Sequence, residues 1–228
     1  MLTLTSLGHA CYTLSDGAHS VIFDPYLKDN PEAVCGPEDV SVDAILPSHG
    51  HSDHLGDTIE IATRLGCPVI AAFELCMYCA RFGCEVAPLH IGGGRTFDFG
   101  SVKLTQATHG SAVIGETLIE YTGPAVGFLV KMGGLTVYYA GDTGLFGDMQ
   151  LIGDEGIDLA VLPIGDCFTM GPADALKAAA LIRPKVVVPT HYSAFDVIQQ
   201  DATAFAVELG KQGIRCEVLA PGQDLSIA

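Results

Sequence analysis

The chain has 228 residues, a formal net charge of −16 and only 11 Lys and Arg, a balance that argues against binding to a phosphate backbone, so no nucleic-acid partner is expected. Hydrophobic residues at 49% against charged residues at 17% can fill a large core, and the length suits one α/β domain over residues 1–228. With no basic segment ahead of an apolar run at the start, and no apolar stretch as long as a membrane span, we expect a cytoplasmic chain without a membrane span.

Residues 2–5 read as an opening strand, followed by Gly8-His9-Ala10. A second apolar strand at 21–23 ends on Asp24-Pro25, and a third at 44–46 runs into Pro47-Ser48-His49-Gly50-His51-Ser52-Asp53-His54. Asp57 with Glu60 reads as an N-cap and reciprocal cap for a helix through Leu65, closed by Gly66. A strand at 68–71 precedes an apolar, cysteine-bearing helix at 73–82. Strands are expected at 86–89, 96–99 and 102–106, the last alternating and delivering Ala107-Thr108-His109. Residues 110–123 look irregular and are the candidate for a mobile loop over a site.

Residues 126–132 and 135–139 flank Gly133-Gly134, the clearest hairpin signal in the chain, and lead into Ala140-Gly141-Asp142-Thr143. A buried strand at 157–164 reaches Gly165-Asp166. Pro172 suits the first position of a helix to about residue 182. A strand at 186–189 delivers Thr190-His191-Tyr192, and a helix at 202–209 and a short strand at 217–219 finish the chain. Ligand-type residues thus stand repeatedly where an apolar strand stops: His9, Asp24, His49, His109, Asp142, Asp166 and His191. Sheet-based enzymes place their chemistry on such strand ends. Two mixed sheets face to face, with helices outside, accommodate this order.

His49, His51, Asp53 and His54 fall within six positions. Imidazole and carboxylate suit zinc or another first-row ion, whereas a closed structural site more often recruits cysteine. In an extended segment His49 and His51 point the same way and can grip one ion. Asp53 and His54, past a bend, face a neighbouring position about 3.5–4 Å away, the spacing of a two-metal hydrolytic site. The eight cysteines read as reduced thiols. For Cys67, Cys76, Cys79 and Cys84 core packing is the leading reading, with a cysteine metal site and a redox pair as alternatives.

The ordered set His49-x-His51-x-Asp53-His54, then His109, Asp142 and His191, resembles the metallo-β-lactamase superfamily over nearly the whole chain. The flanks Leu7-Gly8-His9-Ala10, Phe23-Asp24-Pro25, Tyr139-Ala140-Gly141-Asp142-Thr143-Gly144 and Pro163-Ile164-Gly165-Asp166 resemble a branch of metal-dependent hydrolases akin to ascorbate-phosphate lactonases. The resemblance implies an α/β fold, the four-layer αββα sandwich. It implies one or two divalent ions (Zn, Mn, Ni or Fe), one held by His49, His51 and His109, the other by Asp53, His54 and His191, with Asp142 bridging. Asp53, His54 and Asp142 are the expected catalytic residues. His9, Asp24 and Asp166 are expected around the ligands, Asp24 as an acceptor that orients an imidazole. Cys167 stands where this branch is expected to carry a polar residue such as Asn.

The implied activity is hydrolysis of a small ester, lactone or phosphodiester by metal-bound hydroxide, with a small molecule as substrate and a homo-oligomer as a possible assembly. The alternative from another class is a catalytically weak metal-binding sensor or structural protein.

Overall fold

The computed structural model describes residues 1–228 and forms two mixed sheets. The strands are β1 (Leu2–Gly8), β2 (Cys11–Ser15), β3 (Ser20–Phe23), β4 (Ala44–Leu46), β5 (Gly94–Phe97), β6 (Gly100–Gln106), β7 (Ala112–Ile114), β8 (Ile119–Tyr121), β9 (Val126–Met132), β10 (Leu135–Tyr139), β11 (Leu159–Pro163), β12 (Val186–Thr190), β13 (Arg215–Cys216) and β14 (Asp224–Ile227). The helices are α1 (Ser52–Leu55), α2 (Thr58–Leu65), α3 (Phe73–Ala80), α4 (Met149–Gly153), α5 (Pro172–Ile182) and α6 (Ala202–Lys211). One sheet has the order β14-β1-β2-β3-β4 and the other β13-β12-β11-β10-β9-β6-β5, while β7 and β8 pair only with each other.

Burial explains the layers. The inward faces of both sheets share one apolar cluster that includes Leu4, Phe23, Leu46, Leu104, Phe128, Tyr139 and Val188. The outer face of the larger sheet packs on α4, α5 and α6 through residues such as Tyr138, Ala160, Leu162, Ala178 and Phe205. The outer face of the smaller sheet packs on α2 and α3 through Ile22, Ile45, Ile61 and Leu75. The layer order is the expected αββα. No helix is long and apolar enough to cross a membrane.

The β9–β10 hairpin turns on Gly133 (φ 57°) and Gly134 (φ 81°), both left-handed, as a two-residue turn of the mirror-image type requires. Elsewhere the structure departs from the sequence expectations for identifiable reasons. Within residues 110–123, expected to be irregular, β7 and β8 form an antiparallel hairpin. Residues 68–71 and 86–89 make only isolated bridges; Pro68 and Pro88 lack the N–H that a ladder needs. Asp57 does not cap α2 with its side chain; its carboxylate accepts from the backbone N–H of Leu27 and Lys28, and Glu60 pairs with Lys28.

All eight cysteines are free, and Cys67, Cys76, Cys79 and Cys84 are buried in the apolar cluster beneath α2 and α3. Burial pushes the Cys76 and Cys79 thiols up to about 12, so without a metal they stay protonated, and no cysteine belongs to the groups of side chains whose donor atoms converge. Replacing Cys76 or Cys79 by Ala should therefore lower unfolding free energy by about 1–2 kcal/mol and leave metal content unchanged. Loss of one equivalent of metal, read by elemental analysis, would reveal a cysteine site instead.

Candidate metal centre

Strand direction brings the ligand-type residues together. β1 and β3 are each antiparallel to β2, and β4 is parallel to β3, so β1, β3 and β4 run the same way. β6 and β10 are each antiparallel to β9, and β11 and β12 continue parallel to β10. The segments leaving these seven strand ends carry His9, Asp24, the 49–54 cluster, His109, Asp142, Asp166 and His191.

Donor atoms converge in overlapping groups. His49, His51 and His109 each offer one nitrogen within 4.8 Å of the others, with His49 Nε2 2.9 Å and His109 Nε2 3.3 Å from His51 Nδ1. His9, Asp53, His54 and His191 form a second group. There Asp53 Oδ2 lies 3.3 Å from His9 Nε2 and 3.7 Å from both His54 Nε2 and His191 Nε2. Asp142 Oδ2 faces both groups, at 3.2 Å from His191 Nε2, 3.3 Å from His54 Nε2 and 3.7 Å from His109 Nε2.

The donor set fits a metal. His54 Nε2, His191 Nε2 and Asp142 Oδ1 are buried without a hydrogen-bond partner, in an interior where such groups are normally satisfied. Tautomers can be inferred for two rings. His54 Nδ1 donates to Asp24 Oδ2 at 2.6 Å, which leaves the Nε2 lone pair pointing inward. Ser48 Oγ donates to Asp24 Oδ2 at 2.7 Å, so His49 Nδ1 donates to Ser48 Oγ at 2.9 Å, and His49 Nε2 is again a lone pair. Lone pairs converging on one space repel unless a proton or cation lies between them.

Asp24 is the hub of this arrangement. Fully buried, it accepts from Ser48 N–H (2.6 Å), Ser48 Oγ (2.7 Å), His54 Nδ1 (2.6 Å) and Tyr139 Oη (2.7 Å). The sequence reading expected Asp24 to orient an imidazole without saying which, and missed Ser48 and Tyr139 as partners. Their only signal is position, Ser48 beside His49 and Tyr139 three residues before Asp142. Asp24 (φ 43°), His9 (φ 54°) and His191 (φ 57°) hold left-handed backbone conformations, strain of the kind that gathers at functional sites. Gly141 (φ 60°) is required by space as well, since a Cβ there would stand 2.8 Å from Ser48 Cβ.

Burial and neighbouring charge divide the histidines. Burial lowers His49, His51 and His109 below the ordinary imidazole value, and lowers His9 as well. His191 is raised to about 9: burial opposes its charge, but Asp142 and Asp53 outweigh burial. His54 is raised for the same reason, by Asp142 and Asp24 against burial. Asp142 is held well below the carboxylate range, where His54 and His191 overcome its burial.

A family model described as a beta-lactamase superfamily domain matches residues 3–191. A UPF0173 metal-dependent hydrolase from Desulfitobacterium hafniense is 49% identical over 227 residues, covering 96% of each chain. The chain belongs to the metallo-β-lactamase superfamily, in its UPF0173 family of metal-dependent hydrolases. A relative of the same description from Bacillus licheniformis is 55% identical over 205 residues, 89% of this chain and 90% of that one. Among solved structures, a metallo hydrolase from the hyperthermophilic archaeon Ignicoccus hospitalis superposes with a TM-score of 0.90 at 32% identity, covering 100% of this chain and 98% of that one.

In this superfamily member a cavity of about 280 Å³ opens onto the cluster, lined by His51, Asp53, His109, Asp142 and His191 with Ser52, Ile114 and Phe168. His9 sits behind it, its ring 4.3 Å from that of His191 and edge-on to Tyr26 and Phe195. Asp166 stands apart from the expectation. It is exposed, and its side chain makes no hydrogen bond to the imidazoles. Asp166 (φ 59°) and Cys167 (φ 51°) are both left-handed and open a tight turn in which the Asp166 carbonyl accepts from Thr169 N–H at 3.1 Å. Cys167 is exposed on the same turn.

Proposed function

We propose that this chain is a dinuclear metal-dependent hydrolase acting on a small ester, lactone or phosphodiester. In this reading His49, His51 and His109 hold one ion and Asp53, His54 and His191 the other, with Asp142 between them. The observation that carries it is the position of Asp142 Oδ2, within 3.7 Å of Nε2 nitrogens from both groups. Zinc, manganese, nickel and iron all suit such N/O donors. Bound metal would supply Lewis acidity, acidifying water and polarising the bond under attack.

The chain's own residues then have separable roles. Asp24 holds His54, and Ser48 holds His49, with the Nε2 lone pair turned inward. Asp53 and Asp142 offset cationic charge and join the two halves of the cluster. Three nearby hydroxyls are engaged elsewhere: Ser48 Oγ donates to Asp24, Ser111 Oγ pairs with Thr122 Oγ1 and accepts from Gly50 N–H, and Thr190 Oγ1 donates to the His9 carbonyl. None is placed as a nucleophile beside a free base. The core shared by both sheets supports treating residues 1–228 as one domain.

The test is a screen of metal-reconstituted protein on aryl esters, lactones and bis-p-nitrophenyl phosphate. At least one class should be turned over, with activity abolished by chelation, restored by metal and indifferent to serine-directed acylating reagents. Metal-loaded protein inert towards all three would leave the sensor or structural reading.

A pH signature follows for the metal-free protein. His54 and His191 are raised above 6.5, so their stabilisation is complete below 6.5 and is lost as pH rises through about 9 for His191. His9, His49, His51 and His109 are lowered, so stability falls as pH drops below 6.5 and the unfolded chain takes up protons first. The melting temperature of chelated protein should therefore peak near pH 6.5. Added metal, which competes with protons for His54 and His191, should raise it more at alkaline than at acid pH. A metal-free profile flat across this range, or a metal effect that shrinks as pH rises, would contradict the assignment.

A further inference from the structure

The β7–β8 hairpin exposes its apolar face. Residues directly opposite in an antiparallel ladder project to the same side, so Ile114 and Ile119 share one face with Ala112 and Tyr121, and Val113 and Glu120 share the other. The second face is occupied: Val113 packs on the cluster beneath the smaller sheet, and Glu120 pairs with Arg81 just past α3. On the first, Ile114, Ile119 and Tyr121 are 69%, 68% and 71% exposed. Ile114 is at the same time a wall of the cavity that opens onto the His/Asp cluster, and Phe168, 56% exposed, is another. The cavity has no Lys or Arg in its lining, and its charged residues are the carboxylates Asp53 and Asp142.

A bond cleaved at the cluster has to lie among the imidazoles, and the group carrying it then rests against Ile114 and Phe168. Bound ions would outweigh the charge of Asp53 and Asp142 at the point of cleavage, but away from them no Lys or Arg lines the cavity to hold a further anionic group, and the walls there are Ile114 and Phe168. Resting on the hydrolase reading above, we propose that the substrate is an ester or lactone bearing an apolar acyl or aryl group. Ile114 and Phe168 select that group, and Ile119 and Tyr121 extend the wall for a longer one. Each methylene buried there improves binding about 3–4-fold, until the chain outgrows the hairpin.

Two homologous series on the metal-loaded full chain test this, both running from acetyl to octanoyl. Alkyl hydroxamates, whose head group chelates the metal, give affinities by calorimetry, and p-nitrophenyl alkanoates give kcat/KM. Both quantities should rise about 3-fold per methylene over the first few carbons. Ile114→Ser and Phe168→Ser should each flatten the hydroxamate slope at unchanged metal content, while Leu151→Ser, at an exposed leucine on α4 outside the cavity, should keep it. A wild-type hydroxamate series without a slope overturns the inference, as does a slope that survives both cavity substitutions. So does Ile114→Ser converting an oligomer to monomers with the slope intact, since the face would then be covered by a second copy of the chain. A hydroxamate slope that responds to Ile114→Ser, in a protein that hydrolyses none of the esters, sustains the apolar wall and refutes the hydrolase reading separately.

Discussion

Replacing Asp24 by Ala should cost about 3–5 kcal/mol of stability, a large share of the ~5–15 kcal/mol that holds a typical domain together. Four donors converge on this fully buried carboxylate; the Ser48 N–H and His54 Nδ1 have no other acceptor, whereas Tyr139 Oη also reaches the Ala10 carbonyl and Ser48 Oγ also reaches His49 Nδ1. The informative variant is Asp24→Asn. Whichever way the amide is turned, its NH₂ faces at least one N–H or O–H donor, so a smaller loss of about 1–3 kcal/mol is expected. The fold should survive, but His54 loses its anionic partner and Ser48 its firm acceptor, so both ligand rings lose orientation. Metal affinity should fall about 10–100-fold, measured by competition with a chromophoric chelator. An Asp24→Asn protein with wild-type affinity would show that the buried network serves the core and not the site.

The second large effect is expected at Asp142. Its Oδ2 faces His54, His109 and His191 together, so one truncation disturbs both groups. Asp142→Ala should lower metal content and reduce kcat/KM on the order of 10²–10³-fold or more. His191 should also lose its raised pKa in the metal-free protein, because Asp142 is the largest influence raising it, and imidazole NMR titration reads that directly. Asp142→Ala that keeps both its metal content and its rate would remove the bridging role. Retained metal with lost rate would confine Asp142 to catalysis.

Much of this site is legible in the sequence because buried strands are uninterrupted apolar runs, and a His or Asp straight after one stands out. Val137, Tyr138 and Tyr139 leading into Asp142, or Val186, Val187 and Val188 leading into His191, are of that kind. Pairing at long range is not legible. β14 returns from the C-terminus to lie beside β1, and β5–β6 cross from the first half of the chain into the larger sheet. Local chemistry at Ile227 or Leu104 does not specify those partners. Asp57 shows tertiary context overriding a local signal: its spacing to Glu60 matches a capping box, yet the backbone of Leu27 and Lys28 claims the carboxylate. The β7–β8 hairpin escapes notice because each strand has three residues and most of its apolar side chains, Ile114, Ile119 and Tyr121, are exposed. Asp166 follows an apolar strand like the other site residues, but it begins a turn of two successive left-handed residues, is exposed and sets its carboxyl beside Gly171 at the start of α5, and nothing in the strand pattern signals that turn.

Elemental analysis of the purified chain decides whether this histidine and aspartate cluster holds a metal pair. Protein prepared without chelator, or reconstituted in turn with zinc, manganese, nickel and iron, should carry between one and two ions per chain. His109→Ala and His191→Ala should each lower that number, because they belong to different groups of donors. A chain that binds none of the four metals, or that binds the same amount after both substitutions, would contradict the account.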